Sequence, residues 1–271
     1  MNPEKPLAPM EKSENIKRGI YIFPNLVTTG SLFAGFCSLV STLNGNFFIA
    51  ALWIFVSAVC DGLDGKIARL TGSSSKFGVE YDSLCDLVAF GVTPALMVYA
   101  WALKPYGRLG WLAAFLFVAC GALRLARFNV QVDTVESKRF VGLPIPAAAC
   151  MVAFTVLLFY DLGRLPQELF LAPVMFKRLS IITLIYLLAF LMVSNFRYYS
   201  FKDPALIKRQ PFSFLLLVVI ILIAVAAEPI RMIFGIMLCY TLSGPVAFLL
   251  TWPRRRRLEK AVRKGRDSLR F

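Results

Sequence analysis

The chain contains no histidine. That absence removes the commonest general base and the commonest zinc ligand together, and it excludes a phosphohistidine intermediate. The six cysteines, Cys37, Cys60, Cys85, Cys120, Cys150 and Cys239, all fall inside apolar runs, and no C-x-x-C pair occurs. They read as small apolar residues in helix packing and say little about redox compartment. No internal repeat and no soluble domain is visible. The first 20 residues are polar and mixed in charge without an apolar core, so no cleaved signal peptide is expected.

What the chain does have is hydrocarbon. Of its 271 residues, 58% are hydrophobic, and the mean hydropathy is +0.67, against about 45–50% apolar residues in soluble domains. The excess sits in runs of about 18–22 residues, the length that crosses ~30 Å at 1.5 Å per residue. The runs predict eight helices, over Pro24–Leu43, Phe47–Arg69, Tyr81–Leu103, Gly110–Phe128, Pro144–Tyr160, Leu179–Phe196, Phe212–Ala227 and Ile230–Trp252, the last two separated by Glu228-Pro229. With both termini on one side, that side collects 24 of the 30 Lys and Arg residues. The positive-inside rule makes it the cytoplasmic side. Much of the net charge of +14 is therefore a topology signal. The run Arg254-Arg255-Arg256-Arg257 directly follows a span, so it reads as an anchor to anionic lipid head groups rather than to nucleic acid.

Four aspartates interrupt the hydrocarbon: Asp61 and Asp64 in D-G-L-D-G-K-I-A-R, then Asp82 and Asp86 in G-V-E-Y-D-S-L-C-D. At 100° per residue, Asp61 and Asp64 lie within about 60° of each other on one helix, and Asp82 and Asp86 within about 40° on the next. Two neighbouring antiparallel helices thus turn two carboxylates each toward one cleft, and Gly65, Ala68 and Gly78 leave room beside them. Asp61 stands eight residues before Arg69, about 12 Å along the axis. The cleft therefore opens just below the cytoplasmic surface, at the depth of lipid phosphates.

Four clustered carboxylates cannot all stay ionised in a low-dielectric place without cations beside them. All-oxygen ligands suit Mg²⁺ or Mn²⁺, and four of them suit a two-ion arrangement on phosphate. A salt-bridge network with the local bases fails on numbers, because residues 61–86 hold five acids against three bases. A cation-coupled transporter is the rival reading. It predicts acids in both halves and broken midplane helices, yet the other spans carry no second acidic pair.

The string D-x-x-D-G-x-x-A-R-x8-G-x3-D-x3-D is met at every position from Asp61 to Asp86. It resembles the signature of the CDP-alcohol phosphatidyltransferases. The resemblance implies that Asp61, Asp64, Asp82 and Asp86 bind two divalent ions, that Asp86 is also the base, and that Gly65, Arg69 and Ser75 hold the CDP-lipid. Pro24-Asn25-Leu26-Val27-Thr28 looks like the family's P-N-x-x-T entry to the first helix, which places Asn25 and Thr28 at the nucleotide. Four further strings resemble the serine-using branch, which joins CDP-diacylglycerol to L-serine: Phe90 to Ala95, Arg124 to Asn129, Gly142 to Ala147 and Met192 to Tyr198. The unrelated enzymes of the same reaction use an H-x-K nucleophile, which this chain cannot supply. The resemblance runs from about Phe23 to Lys202 and also implies a homodimer.

Arg124 and Arg127 have two roles open to them. They are either positive-inside anchors that snorkel or, with Asn129, a clamp for the carboxylate and ammonium of free serine. The Pro144-Ile145-Pro146 string reads as a helix start, and the 24 phenylalanines as lipid-facing bulk. The expectation is an all-α integral membrane bundle of about eight transmembrane helices, with an intramembrane di-metal cleft open to the cytoplasm. Its divisions are a cytoplasmic segment (1–22), a transferase core (23–203), two added C-terminal helices without a specific role (204–252) and a basic tail (253–271). The runner-up is the same chemistry on glycerol 3-phosphate or inositol phosphate.

Overall fold

A computed structural model describes residues 11–71, 75–132, 140–163, 175–198 and 211–268. The helices are α1 (Glu11–Leu43), α2 (Phe47–Thr71), α3 (Lys76–Asp86), α4 (Thr93–Val98), α5 (Arg108–Val132), α6 (Ile145–Asp161), α7 (Met175–Val193), α8 (Pro211–Ala227) and α9 (Pro229–Ser268). A π-helical turn, Leu87–Val92, joins α3 to α4, and a second, Tyr99–Leu103, follows α4. These segments run on as one rod from Lys76 to Tyr106. Among the described residues, five stretches are long and apolar enough to cross a membrane: Phe23–Leu43, Phe47–Thr71, Lys76–Tyr106, Arg108–Val130 and Pro229–Leu250. Three shorter apolar helices, Ile145–Asp161, Ser180–Val193 and Val218–Ala227, lie among them. The chain is a multi-pass, helical membrane protein.

Two boundaries differ most from the sequence reading. The first helix does not start at Pro24 but at Glu11, with Pro24 inside it. The stretch before Pro24 is rich in good helix formers, and a proline removes one intrahelical bond rather than the whole helix. Likewise α9 continues past Trp252 through the basic tail to Ser268, because arginine, lysine, leucine and alanine all favour helix.

Small polar residues bring α1 and α2 together. The Ser31 and Ser57 hydroxyls meet at 2.8 Å and each also reaches the other's backbone carbonyl, while Ser38 donates to the Ala50 carbonyl at 2.7 Å. In hydrocarbon such bonds and small side chains hold helices that hydrophobicity alone cannot. Gly35 continues the contact: a Cβ there would stand 2.9 Å from Ala89, so α1 lies directly on the π-helical turn after Asp86. The turn itself follows from Thr93-Pro94. Proline has no N–H to continue the ladder, the Thr93 amide bonds back to the Val88 carbonyl, and its hydroxyl donates to the same oxygen at 2.8 Å.

Helix α6 is the axis of the bundle, buried from Ala148 to Leu157. Phe90, Met97, Phe117, Leu143, Ile185 and Leu188 pack round it with essentially no exposed surface. Outward faces carry Phe33, Phe36, Phe115, Leu222 and Ile223, as a hydrocarbon solvent demands. At the start of α6, two of the strings noted above meet: β1 (Phe140–Val141) pairs antiparallel with β2 (Arg197–Tyr198). Gly142 leaves that pair at φ +81°, its amide on the Phe196 carbonyl at 2.8 Å, and the Met192 carbonyl fills the place of a Cβ. Only glycine adopts this backbone without strain.

Candidate metal centre

Helices α2 and α3 each bring an aspartate pair to the same place. One carboxylate oxygen from each of Asp61, Asp64 and Asp82 can be chosen so that all three lie within 4.8 Å of one another. Asp64 is buried at 5% exposure, while Asp61 and Asp82 are half-buried. Asp64 Oδ2 and Asp82 Oδ1 are buried with no hydrogen-bond partner among the described residues. Buried anionic oxygens without donors are costly, and a compact all-oxygen set of three carboxylates fits a hard divalent cation. Asp86 stands outside this trio. Its carboxyl lies against that of Asp61.

Asp64 and Asp82 of the trio border a cleft of about 350 Å³ between α1, α2 and α3. Asn25 and Thr28 of α1 line it with Asp64, Gly65 and Arg69 of α2, then Ser75 and Asp82. All five residues expected to hold a CDP-lipid therefore border one space beside two of the carboxylates. Each is placed by a local cause. Thr28 donates to the Pro24 carbonyl at 3.1 Å and lies beside Asp64. Arg69 Nε donates to the Gly65 carbonyl at 2.8 Å, which leaves its terminal nitrogens for a ligand. Ser75 caps α3 by accepting the Gly78 amide at 3.0 Å.

The two glycines of the cleft differ. At Gly78 a Cβ would stand 3.2 Å from Ser75 Oγ and 3.3 Å from Asn25 Oδ1, so the fold itself requires a small residue. At Gly65 a Cβ would meet nothing within 4 Å. The bareness of Gly65 serves no contact within the described chain, and the space above it belongs to the cleft.

The three remaining residues separate. Arg127 is tied to the end of α7, NH1 donating to the Val193 carbonyl at 3.1 Å and to Asn195 Oδ1 at 3.3 Å. Asn129 links α5 to α3: its amide donates to Glu80 at 3.4 Å and its carbonyl accepts from Ser83 at 3.2 Å. Arg124 is the inward one, 9% exposed, with Nε unpartnered among the described residues. It does not snorkel.

Sequence reasoning missed Tyr240. It projects from α9, a helix expected to carry nothing specific, and its ring packs on that of Tyr198 at 5.6 Å between centroids. No spacing rule relates residues so far apart in the chain, so no local signal could have found it. A larger, mostly apolar cavity of about 880 Å³ runs between α6 and α9, with Tyr240, Cys150 and Pro144 on its wall.

A sequence model of the CDP-alcohol phosphatidyltransferase family matches residues 21–177. The chain is 39% identical over 233 residues to a CDP-diacylglycerol–serine O-phosphatidyltransferase of Helicobacter pylori, covering 85% of this chain and 92% of that protein. It is 38% identical over 130 residues to the protein of that name in Bacillus subtilis, covering 48% of this chain and 72% of that one. With the one from Methanocaldococcus jannaschii it shares 46% identity over 99 residues, 36% of this chain and 46% of the other.

Proposed function

The chain belongs to the CDP-alcohol phosphatidyltransferase family, and from that membership we propose that it transfers the phosphatidyl group of CDP-diacylglycerol to the hydroxyl of L-serine, giving phosphatidylserine and CMP. The observation that carries the reading is that Asp64 and Asp82, two of the three converging carboxylates, line one cleft with Asn25, Thr28, Gly65, Arg69 and Ser75.

Asp61, Asp64 and Asp82, with Asp86 beside them, would hold two divalent cations, Mg²⁺ or Mn²⁺. When bound, such ions neutralise a diphosphate and the charge that develops on a departing CMP. Around them the chain's own residues bind and orient. Asn25 and Thr28 line the nucleotide side, Arg69 presents a planar donor to phosphate, and Gly65 leaves the backbone open to close approach. Asp86 accepts the proton of the serine hydroxyl. The serine oxygen forms a bond to the phosphorus that carries diacylglycerol, and the bond from that phosphorus to the bridging oxygen of CMP breaks. No protein nucleophile is needed. Arg124, the one of the three acceptor candidates that turns inward, forms the acceptor side, where its guanidinium meets the serine carboxylate.

Both termini and the cleft face the cytoplasm, all eight apolar helices cross the cell membrane, and two copies form a homodimer. The lopsided distribution of Lys and Arg supports the orientation. The test is direct: purified protein is given CDP-diacylglycerol, Mg²⁺ and a panel of labelled alcohols. Phosphatidylserine should be the lipid formed. Formation of phosphatidylglycerol phosphate, with serine ignored, would overturn the acceptor and leave the family chemistry standing.

A further inference from the structure

The residues on either side of Asp82 are tied to two different helices, while Asp82 Oδ1 itself is buried and unpartnered among the described residues. The Tyr81 hydroxyl meets Thr29 Oγ1 of α1 at 2.9 Å, and the Ser83 hydroxyl reaches Asn129 Oδ1 of α5 at 3.2 Å. Thr29 gives its single hydroxyl proton to the Asn25 carbonyl at 2.8 Å, so Tyr81 is the donor in the link to α1. The bonds form one chain, from Tyr81 through Thr29 to Asn25, a residue of the cleft wall.

Tyr81 is held in turn by its own helix. Its ring lies parallel to that of Phe77 one turn earlier, with 5.8 Å between centroids and 7° between planes. Gly78 brings α3 onto α1 a second time, since a Cβ there would stand 3.3 Å from Asn25 Oδ1. The two helices therefore touch at Gly78 on Asn25 and again, about one turn deeper, at Tyr81 on Thr29.

Two contacts fix what one would leave free, the rotation of α3 about its axis. Helical side chains end about 5–6 Å from the axis, so turning α3 by about 20° would move the Asp82 carboxylate by about 2 Å. A Mg²⁺ ion holds its oxygens at about 2.0–2.1 Å in near-ideal octahedral geometry, and a shift of that size removes a ligand. The rod beyond Asp86 does not supply this control, because a π-helical turn interrupts it at once. We propose that Tyr81 is a positioning residue for the metal centre: its hydrogen bond to Thr29 sets the rotation of α3 on α1 and brings the Asp82 carboxylate to Asp61 and Asp64 before a cation arrives. The inference rests on the reading of those three aspartates as metal ligands given above.

The test uses the full-length protein in lipid nanodiscs without either substrate, and takes the Mg²⁺ dissociation constant from the dependence of Tm on Mg²⁺ concentration. Tyr81→Phe keeps the ring on Phe77 and deletes only the hydroxyl. It should raise that constant about three- to tenfold. Thr29→Val removes the same bond from the side of α1 and should raise it similarly, whereas Thr29→Ser, which keeps a hydroxyl, should stay at the wild-type value. Joining Tyr81→Phe to Thr29→Val should add little to either alone, because both delete one interaction. Should Tyr81→Phe fail to fold, Thr29→Val against Thr29→Ser decides the matter on the same constant. An unchanged Mg²⁺ constant, or factors that simply multiply in the double variant, overturns the proposal. So does a lower Tm in EDTA with the constant unmoved, the mark of a packing contact alone. If the wild type gains no stability from Mg²⁺ or Mn²⁺, the metal reading fails and the proposal falls with it. If it responds to Mg²⁺ but ignores serine in the transfer assay, only the acceptor falls, and the same constants still decide the role of Tyr81.

Discussion

Asp82 has a buried, unpartnered oxygen and two carboxylate neighbours, so its charge has opposite effects in two conditions. Without metal it adds repulsion to the cluster; with metal it adds a ligand. Asp82→Asn should therefore be at least as thermally stable as the wild type in EDTA, yet gain less stability on adding Mg²⁺. Transfer should fall by more than the ~10–100-fold typical of losing a group that only hydrogen-bonds a metal ligand. Thermal unfolding with and without Mg²⁺ checks this, and an equal Mg²⁺ response in both proteins would remove Asp82 from the ligand set. Asp86 poses a different question, because it lies outside the trio. Asp86→Asn should retain CDP-diacylglycerol binding while kcat drops ~10²–10⁴-fold; near-normal turnover would refute its role as base. Gly65 separates ligand space from protein packing. Since a Cβ there meets nothing in the described chain, Gly65→Ala should leave Tm unchanged or slightly raised, alanine being the better helix former. The KM for CDP-diacylglycerol should nonetheless rise several-fold, and an unaffected KM would show that lipid phosphate does not approach this backbone.

At the scale of elements, α3 is the short, exposed arm of the centre, and its start depends on one side chain. Ser75 caps it through the Gly78 amide at 3.0 Å. Ser75→Ala should cost about 0.5–2 kcal/mol of stability and loosen the helix that carries Asp82, whereas Ser75→Asp, an equally good cap, should restore stability. Differential scanning fluorimetry of the pair checks it, and equal Tm values for Ser75→Ala and wild type would show that the α1–α3 contacts alone hold the helix start. The π-helical turn beyond Asp86 was not legible as such. Phe90 to Ala95 stood out as a string, but that Thr93 would bond back to Val88 while α1 pressed on Ala89 depends on a neighbouring helix. The same holds for β1 and β2, whose two-residue pair joins segments nearly sixty positions apart.

For the whole molecule, the orientation argument makes a sharp prediction. In a background lacking the native cysteines, a cysteine placed at residue 5 or 265 should react with an impermeant maleimide only from the cytoplasmic side, and one at residue 165 only from outside. Labelling of both tails from outside would invert the arrangement and separate the cleft from cytoplasmic nucleotide. Sequence by itself determined the membrane class, the order of the helices and the pairing of four carboxylates, because hydrocarbon imposes span length and helical periodicity fixes which side chains share a face. It also singled out the residues of the cleft, since a motif at fixed spacing survives as a fixed pattern on two adjacent helices. Only the tertiary structure decided which carboxylates form the compact trio, that Arg127 and Asn129 tie helices while Arg124 turns inward, and that α9 is held by Tyr198 through the Thr241 carbonyl. Those outcomes depend on how helices far apart in the chain pack and rotate against one another, and no local periodicity encodes that.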